Sequence, residues 1–282
     1  MYRGPRDLWV RLETIHAVTY FGVETSDAAT EAGLPSWWMG YFGFRSAPLG
    51  RVSNGVIDAA FHSFSPSFVQ RWVPEVWSYA SPEDLLRRRS AAAAATLTRV
   101  GSTAEHVARQ SIPVLEGVVA VADWSGRPMF AANRLVELPH EPVARLWQLC
   151  TTLREHRGDG HVAACVAAGL SGLEAHVLIA IHQNNSFEDL QRTRGWTGEQ
   201  WSRAMDGLQR RGLLGPDGLL TGAGHDCRTS VEDVTDRLAA AAFELLGPSM
   251  VYDLCEILQP LALDVAMSGT IRYPNPMGLP KL

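Results

Sequence analysis

The sequence predicts a mainly α-helical protein with two domains. Apolar residues recur about every three or four positions along most of the chain, which is the spacing of one helix face. Signals for β-strands are confined to residues 213–221. With 282 residues, 46% of them apolar, the chain can bury the core of one large or two ordinary domains. Prolines between residues 124 and 142 suggest a linker, so we divide the chain into residues 1–140 and 141–282.

The N-terminal domain is predicted to be helical. Ser or Pro residues mark the beginnings of several expected helices, and Gly or Pro residues mark several ends. The expected helices cover residues 7–22, 26–33, 56–64, 66–73, 82–97 and 103–123. An aromatic segment at residues 37–45 separates the second of these helices from the third.

The C-terminal domain is predicted to contain helices and one β-hairpin. The helices are expected at residues 142–156, 161–168, 171–181, 186–194, 197–212, 223–246 and 248–266. Ser171 with Glu174, and Thr197 with Gln200, have the spacing of capping boxes. Residues 213–221 predict two short strands around a Pro-Asp-Gly turn. Helices followed by such a hairpin are typical of a winged-helix domain, in which the hairpin is the wing.

A weak internal repeat offers a second interpretation of the N-terminal domain. Residues 8–34 and 146–170 both begin with Leu-Trp and end with Ala-Gly-Leu. On this interpretation the N-terminal domain is a degenerate winged-helix repeat, although a biased composition also produces such matches. His16 and residues 154–161 would then occupy equivalent places and meet where the two copies pack together.

Residues 153–161, Leu-Arg-Glu-His-Arg-Gly-Asp-Gly-His, form the densest group of ionisable side chains in the sequence. We expect a helix to end near His156, with Gly158 in the left-handed conformation of a helix C-cap. Asp159 would cap the next helix. Such a junction leaves backbone N–H groups free to bind an anion, and an ordinary charged turn is the alternative.

This stretch and the N-terminal domain supply the predicted site residues. The expected catalytic residues are His156, His161, Asp159 and His16, because histidines exchange protons near neutral pH and a carboxylate can orient them. The expected ligand-binding residues are Arg154, Arg157, Glu155, Tyr20, Trp38, Tyr41, Arg45 and Asn133. Arginines would bind an anionic group, and aromatic residues would exclude water. His16, Arg45 and Trp38 are also compatible with a purely structural role in the core.

The overall composition disfavours nucleic acids and acidic membranes as partners. A formal charge of −5 and a pI near 6.0 give no overall attraction for nucleic acids or acidic membranes. The cysteines form no Cys-x-x-Cys pair, so we expect free thiols and a cytoplasmic location. We recognise no signal peptide and no apolar run of about 18 residues that could span a bilayer.

Neither a metal nor a cofactor is expected. Cys150, His156, His161 and Cys165 offer metal-binding atoms, but they do not share one helix face. The sequence contains neither the Gly-x-Gly-x-x-Gly nor the Gly-x-x-x-x-Gly-Lys-Ser/Thr pattern of nucleotide sites. It also contains no Gly-x-Ser-x-Gly nucleophile motif.

Several segments together carry a family resemblance. Residues 194–201 (RGWTGEQW), 208–214 (LQRRGLL) and 217–224 (DGLLTGAG) are similar to the winged-helix domain of MarR-type regulators, a likeness that covers residues 145–237. The whole chain resembles an actinobacterial family of winged-helix-like proteins. That likeness rests on residues 16–21 (HAVTYF), 41–50 (YFGFRSAPLG), 130–133 (FAAN) and 153–161. The resemblance implies a winged-helix fold, DNA reading by the helix before the wing, and a homodimer or a hetero-partner.

The charge of the predicted DNA-reading region disfavours DNA as the partner. Residues 186–211 carry five arginines and four carboxylates, and residues 212–224 carry Asp217 and no cation. Phosphate contacts supply most non-specific DNA affinity, so such a wing is poorly suited to DNA. We therefore expect a cofactor-independent enzyme that performs acid–base chemistry (elimination, ring formation or hydrolysis) on a small anionic metabolite, as in secondary metabolism. The alternatives are a ligand-responsive MarR-like regulator and a non-catalytic metabolite-binding or resistance protein.

Overall fold

The computed structural model describes residues 5–183, 187–275 and 277–282. Its α-helices are α1 (Pro5–Phe21), α2 (Val23–Glu31), α3 (Trp37–Ser46), α4 (Asn54–Ala60), α5 (Pro66–Val69), α6 (Pro82–Val100), α7 (Ala104–Val121), α8 (Pro128–Arg134), α9 (Pro142–Ala167), α10 (Gly172–Gln183), α11 (Phe187–Arg194), α12 (Gly198–Arg210), α13 (Gly222–Ala240) and α14 (Gly247–Met267). Short 3₁₀ helices cover Ala47–Leu49, Glu75–Ser78 and Ala241–Leu246. The predicted start of α11 at Ser186 lies outside the described residues.

Helix α9 lies at the centre of the protein. It has 26 residues and packs against α1, α6, α7, α8 and α13. The largest hydrophobic cluster combines side chains of α1, α7, α9 and α14, with Leu146 and Trp147 fully buried inside it. Residues from both sides of position 140 therefore share one core. The division into residues 1–140 and 141–282 stays a prediction.

Helix α9 continues without a break through residues 153–161, so the predicted helix junction at Gly158 is wrong. A Cβ atom at Gly160 would lie 3.0 Å from Arg127 Nη1 and 3.3 Å from the Leu238 side chain. The glycine therefore allows neighbouring elements to approach closely and forms no turn. Asp159 caps no helix that follows it; its carboxylate accepts a hydrogen bond from Phe130 N at 2.9 Å.

The predicted β-hairpin wing is also wrong. Among the described residues there is no β-strand, and residues 213–221 contain only an isolated bridge between Leu214 and Leu220. Leu213 and Leu214 are buried against the helices, while Thr221 caps α13 by accepting a hydrogen bond from Gly224 N. Backbone hydrogen bonds run from Thr221 N to Leu213 O and from Gly215 N to Leu219 O, which is too little pairing for strands. The fold is mainly α-helical, and we do not retain the winged-helix description for either half.

One segment of the described chain is apolar enough, by length and composition, to cross a membrane. Gly222–Met267 contains an 18-residue window with a mean hydropathy of 1.3, and 22% of that window is buried. Core helices meet the same criterion. In this segment Leu254, Leu258 and Leu261 belong to the largest hydrophobic cluster.

Candidate functional site

The middle of α9 carries a buried network of charged side chains. Glu155 accepts hydrogen bonds from Arg45 Nε at 3.2 Å and from Arg154 Nη1 at 2.8 Å. Arg154 Nε also donates to Glu13 Oε1 at 3.2 Å. Both carboxylates are buried, Glu155 with 2% and Glu13 with 3% of its surface exposed. Helices α1, α3 and α9 therefore bring their charged residues together inside the protein.

The arginines keep Glu155 ionised. Burial alone would raise the pKa of this carboxyl group, but the charges of Arg154 and Arg45 outweigh burial and lower the pKa to about 2. Burial likewise opposes the charge of Arg45, yet the neighbouring Glu155 raises the pKa of Arg45 above its ordinary value. Both groups are therefore charged at neutral pH.

A neutral histidine lies beside this network. His16 Nδ1 is 2.9 Å from Thr151 Oγ1, and His16 Nε2 is 3.0 Å from the Tyr20 hydroxyl oxygen. Burial, helped by the charge of Arg154, lowers the pKa of His16 well below its ordinary value. Burial also raises the pKa of Tyr20. His16 and Tyr20 are therefore uncharged at neutral pH and are close enough to exchange a proton.

A further arginine, Arg89 of α6, has only neutral hydrogen-bond acceptors in the described chain. It donates to Phe44 O at 2.8 Å, to Asn133 Oδ1 at 3.0 Å and to Gln148 Oε1 at 2.9 Å. Only 3% of its surface is exposed, and its guanidinium lies over the Trp147 ring at 5.4 Å. Burial lowers the pKa of Arg89 to about 10, so it is still a cation at neutral pH. Asn133, a predicted ligand-binding residue, thus contacts an arginine that the sequence analysis did not single out.

Two adjoining cavities open onto these groups. The small chamber has a volume of about 210 Å³, and its wall includes His16, Arg89, Trp147 and Thr151. The large chamber has a volume of about 350 Å³ and extends to helices α10, α11 and α13. The residues that line both chambers are Tyr20, Trp37, Tyr41, Arg45 and Glu155. A small molecule in either chamber would therefore contact the charged network.

Helices α11 and α12 are joined by a short turn that docks on the N-terminal half. Ser65 N donates to Arg194 O at 2.9 Å, and Trp196 Nε1 donates to Ser63 O at 3.2 Å. The capping box predicted for Thr197 is confirmed at the beginning of α12. These two hydrogen bonds thus hold this pair of helices against the part of the chain that forms the large chamber.

The outer face of α12 carries balanced charges. The exposed ionisable residues of this helix are Glu199, Arg203, Asp206 and Arg210. Arg203 Nη1 lies 3.4 Å from Glu199 Oε1. This face therefore offers no concentrated positive charge to DNA phosphates.

A comparison with known protein families identifies the family of the chain. A family model described as a helix-turn-helix family matches residues 5–272. The chain belongs to this helix-turn-helix family. No curated protein and no solved structure matches it.

In this helix-turn-helix protein, Asp159 and His161 lie on the wall of the large chamber. Burial raises the pKa of Asp159 to about 6, although the hydrogen bond from Phe130 N opposes the shift. His161 Nδ1 is 3.1 Å from Thr235 Oγ1, and His161 Nε2 is 3.6 Å from Cys165 Sγ. Burial lowers the pKa of His161. These side chains adjoin the network around Glu155 and are not hydrogen-bonded to it.

His156 and Arg157 are not on the wall of either chamber. The His156 ring packs edge-on against Phe130 at 4.8 Å, and burial lowers the pKa of His156 to about 4. Arg157 donates to Asp236 Oδ1 at 2.7 Å and lies over the Trp9 ring at 4.4 Å. The structure therefore places these two predicted site residues in structural contacts outside the network.

Trp38 and Tyr41 both line the large chamber. Trp38 packs edge-on against Phe68 at 4.9 Å. The Tyr41 hydroxyl accepts a hydrogen bond from Arg45 Nη1 at 3.3 Å, and its ring lies 5.2 Å from that of Tyr20. Tyr41 thus links the aromatic wall to the charged network. The described residues contain no group of three or more His, Cys, Asp or Glu side chains arranged to hold a metal ion.

Proposed function

We propose that this helix-turn-helix protein binds a small anionic organic molecule in the small chamber and changes it by proton transfer. One arrangement carries the proposal: Glu155 is held ionised between Arg45 and Arg154, beside the neutral pair His16 and Tyr20. Ionisable groups with shifted pKa values on the wall of a cavity are typical of catalytic sites.

Each group has a chemical role in this proposal. Tyr20, which faces both chambers, donates its hydroxyl proton to His16 Nε2 at 3.0 Å as its oxygen takes one proton from the ligand, and the reverse transfer returns a proton to the product. Arg45 stabilises negative charge that develops on the ligand, and Glu155 fixes the position of Arg45. Elimination, ring formation and hydrolysis all suit this set of groups. We place the reaction in the cytoplasm, which the free cysteines of the described chain support.

The test measures binding and proton transfer separately. Small carboxylates and phosphate esters are screened for binding by calorimetry, and those that bind are incubated in D₂O and followed by proton NMR. We expect Tyr20→Phe to slow exchange or turnover by about 100-fold or more, the usual size of an acid–base contribution, with affinity little changed. Tyr79→Phe is the control, because Tyr79 is 45% exposed.

Two outcomes contradict this assignment. Full turnover by Tyr20→Phe would exclude the proposed proton route. Tight binding without exchange or turnover of any ligand would instead indicate a non-catalytic metabolite-binding or resistance protein.

A ligand-responsive regulator of the MarR type, from the actinobacterial family that the sequence resembles, is the second candidate. Membership in the helix-turn-helix family favours it. The large chamber favours it too, because Leu178 of α10 and Leu190 and Arg194 of α11 lie on its wall. A ligand there would contact the helices that position α12. Such a regulator would act as a homodimer or with a hetero-partner.

Gel-shift assays with the promoter region of the gene, at stated salt concentrations, separate the two candidates. Sequence-selective binding with a dissociation constant near about 10⁻⁸ M, weakened by salt, would establish the regulator. The balanced charge of the α12 face predicts weak binding instead.

A further inference from the structure

The small chamber contains one buried positive charge without a carboxylate partner in the described chain. Arg45 pairs with Glu155, and Arg154 pairs with both Glu155 and Glu13. Arg89 donates only to neutral oxygens, and its Nε has no hydrogen-bond partner. The charge of Glu155 favours the charged form of Arg89 from nearby, but no carboxylate pairs with Arg89 directly. A buried cation without a direct ion-pair partner is costly, and an anion bound nearby would offset part of that cost.

The large chamber has a different character. Apolar side chains form much of its wall, among them Phe61, Phe64, Met129, Leu178, Ile179 and Val231. Its volume of about 350 Å³ exceeds the small chamber's volume of about 210 Å³. A cavity of this kind favours an apolar or aromatic group of a ligand, because the transfer of that group from water is favourable.

The two chambers share aromatic and charged residues on their walls. The rings of Tyr20 and Tyr41 lie 5.2 Å apart and line both chambers. Arg45 and Glu155 also line both, so a ligand that extends from one chamber into the other passes the charged network. The small chamber therefore holds Arg89, the large chamber holds the larger apolar surface, and the charged network lies where the two adjoin.

We infer that the two chambers hold the two ends of one amphiphilic anion. Its negatively charged group lies in the small chamber near Arg89, and its apolar or aromatic body lies in the large chamber. This inference rests on the proposed function, since it names the class of ligand for the same site. Arg89 acts as the residue that selects a charged ligand over a neutral one.

Three probes test the inference on the unmodified protein by calorimetry: 1-naphthylacetate, the neutral 2-(1-naphthyl)ethanol, and acetate. We expect naphthylacetate to bind at least about 10-fold more tightly than the neutral alcohol, because Arg89 favours a charge. We expect it to bind at least about 100-fold more tightly than acetate, because acetate lacks the apolar body.

Two variants then assign each preference to its chamber. Gln148→Glu places a carboxylate where the Gln148 Oε1 now accepts from Arg89 at 2.9 Å. This variant should lower the affinity for naphthylacetate by about 10-fold, because it neutralises the charge of Arg89. Its affinity for the neutral alcohol should stay within about twofold of the unmodified protein's. Gln110→Glu adds the same charge on the exposed surface of α7 and should change neither affinity. Ala175→Phe fills part of the large chamber and should weaken both naphthyl probes by about 10-fold.

The outcomes distinguish this inference from the proposed function. Equal affinity for naphthylacetate and acetate would overturn the amphiphilic ligand and leave a small anionic ligand standing. Equal affinity for naphthylacetate and the alcohol would contradict both the selection of a charged ligand by Arg89 and the proposal that the ligand is an anion. Failure of all three probes to bind would overturn the inference as well. Binding of the alcohol by Gln148→Glu shows that this variant folds; if it does not fold, the probe comparison and Ala175→Phe still decide.

Discussion

The buried charges around Glu155 and the exposed charges on α12 use the same residue types in different surroundings. Arg45 and Glu155 have 14% and 2% of their side-chain surfaces exposed and lie 3.2 Å apart. Arg203 and Glu199 have 67% and 79% exposed and lie 3.4 Å apart. Water screens the second pair more strongly than the first. Similar distances therefore correspond to different energies, and burial, more than charge density, marks the candidate site.

The largest effect should follow from removal of the buried carboxylate. Glu155→Gln leaves Arg45 without its ion-pair partner inside the protein. We expect the free energy of unfolding to fall by about 3–5 kcal/mol, the usual effect of breaking a buried pair. Urea denaturation measures it. Glu137→Gln, on an exposed residue, should change it by less than about 0.5 kcal/mol. A loss below about 1 kcal/mol for Glu155→Gln would show that water reaches the network.

A pH-dependent effect should come next, at Asp159. The pKa of Asp159 rises from its ordinary 3.8 to about 6 in the folded protein, because the group is buried. The folded chain then binds more protons than the unfolded chain between these values. The contribution of Asp159 to stability is therefore full below pH 3.8 and is lost as the pH rises through about 6.

Asp159→Asn removes this dependence. The free energy of unfolding of the wild type relative to Asp159→Asn should fall by roughly 2.4 kcal/mol between pH 4 and pH 7, at about 1.4 kcal/mol per pKa unit. Denaturant titrations at several pH values measure it. Asp206→Asn on exposed α12 is the control and should change stability by less than about 0.5 kcal/mol. A constant difference between wild type and Asp159→Asn across this range would contradict the prediction.

The contact between the beginning of α10 and the N-terminal half should show a smaller effect. A Cβ at Gly172, the first residue of α10, would lie 1.8 Å from His62 O. Gly172→Ala should therefore force the helix away from the N-terminal half and cost about 1–3 kcal/mol. Gly198, the first residue of α12, has no atom within 4 Å of such a Cβ. Gly198→Ala should be neutral or stabilising by up to about 1 kcal/mol. Thermal denaturation measures the stability of both variants. Equal losses of stability would exclude a tight contact at Gly172.

Local signals in the sequence were sufficient for much of the fold. The Thr197 capping box and most helices depend on residues close in sequence, so the sequence predicted them. The break at Gly158 was wrong because the helix there is set by distant neighbours, Arg127 and Leu238, which approach the adjacent Gly160. The predicted wing was wrong because backbone pairing in this short segment extends no further than the single bridge between Leu214 and Leu220.

The sequence predicted part of the candidate site. The predicted residues that the structure places in the charged network or beside it are His16, Tyr20, Tyr41, Arg45, Arg154 and Glu155. Arg89 was missed, since its one signal is its position four residues after the buried Leu85, on the apolar face of α6. Charge density in residues 153–161 also could not show that Arg157 turns away towards Asp236. Which side of α9 faces the chambers is a tertiary property.

The smallest effect should come from the exposed charges on α12. Arg203→Ala removes the pair with Glu199, whose side chains are mostly in water. We expect a loss of at most about 0.5 kcal/mol in the free energy of unfolding, because such helix-surface pairs contribute little. The loss should shrink further at high salt, where the pair is screened. Urea titrations at low and high salt measure both values. A loss above about 1 kcal/mol that persists at high salt would mean that this face is covered, and a covered α12 could not present Arg203 to DNA.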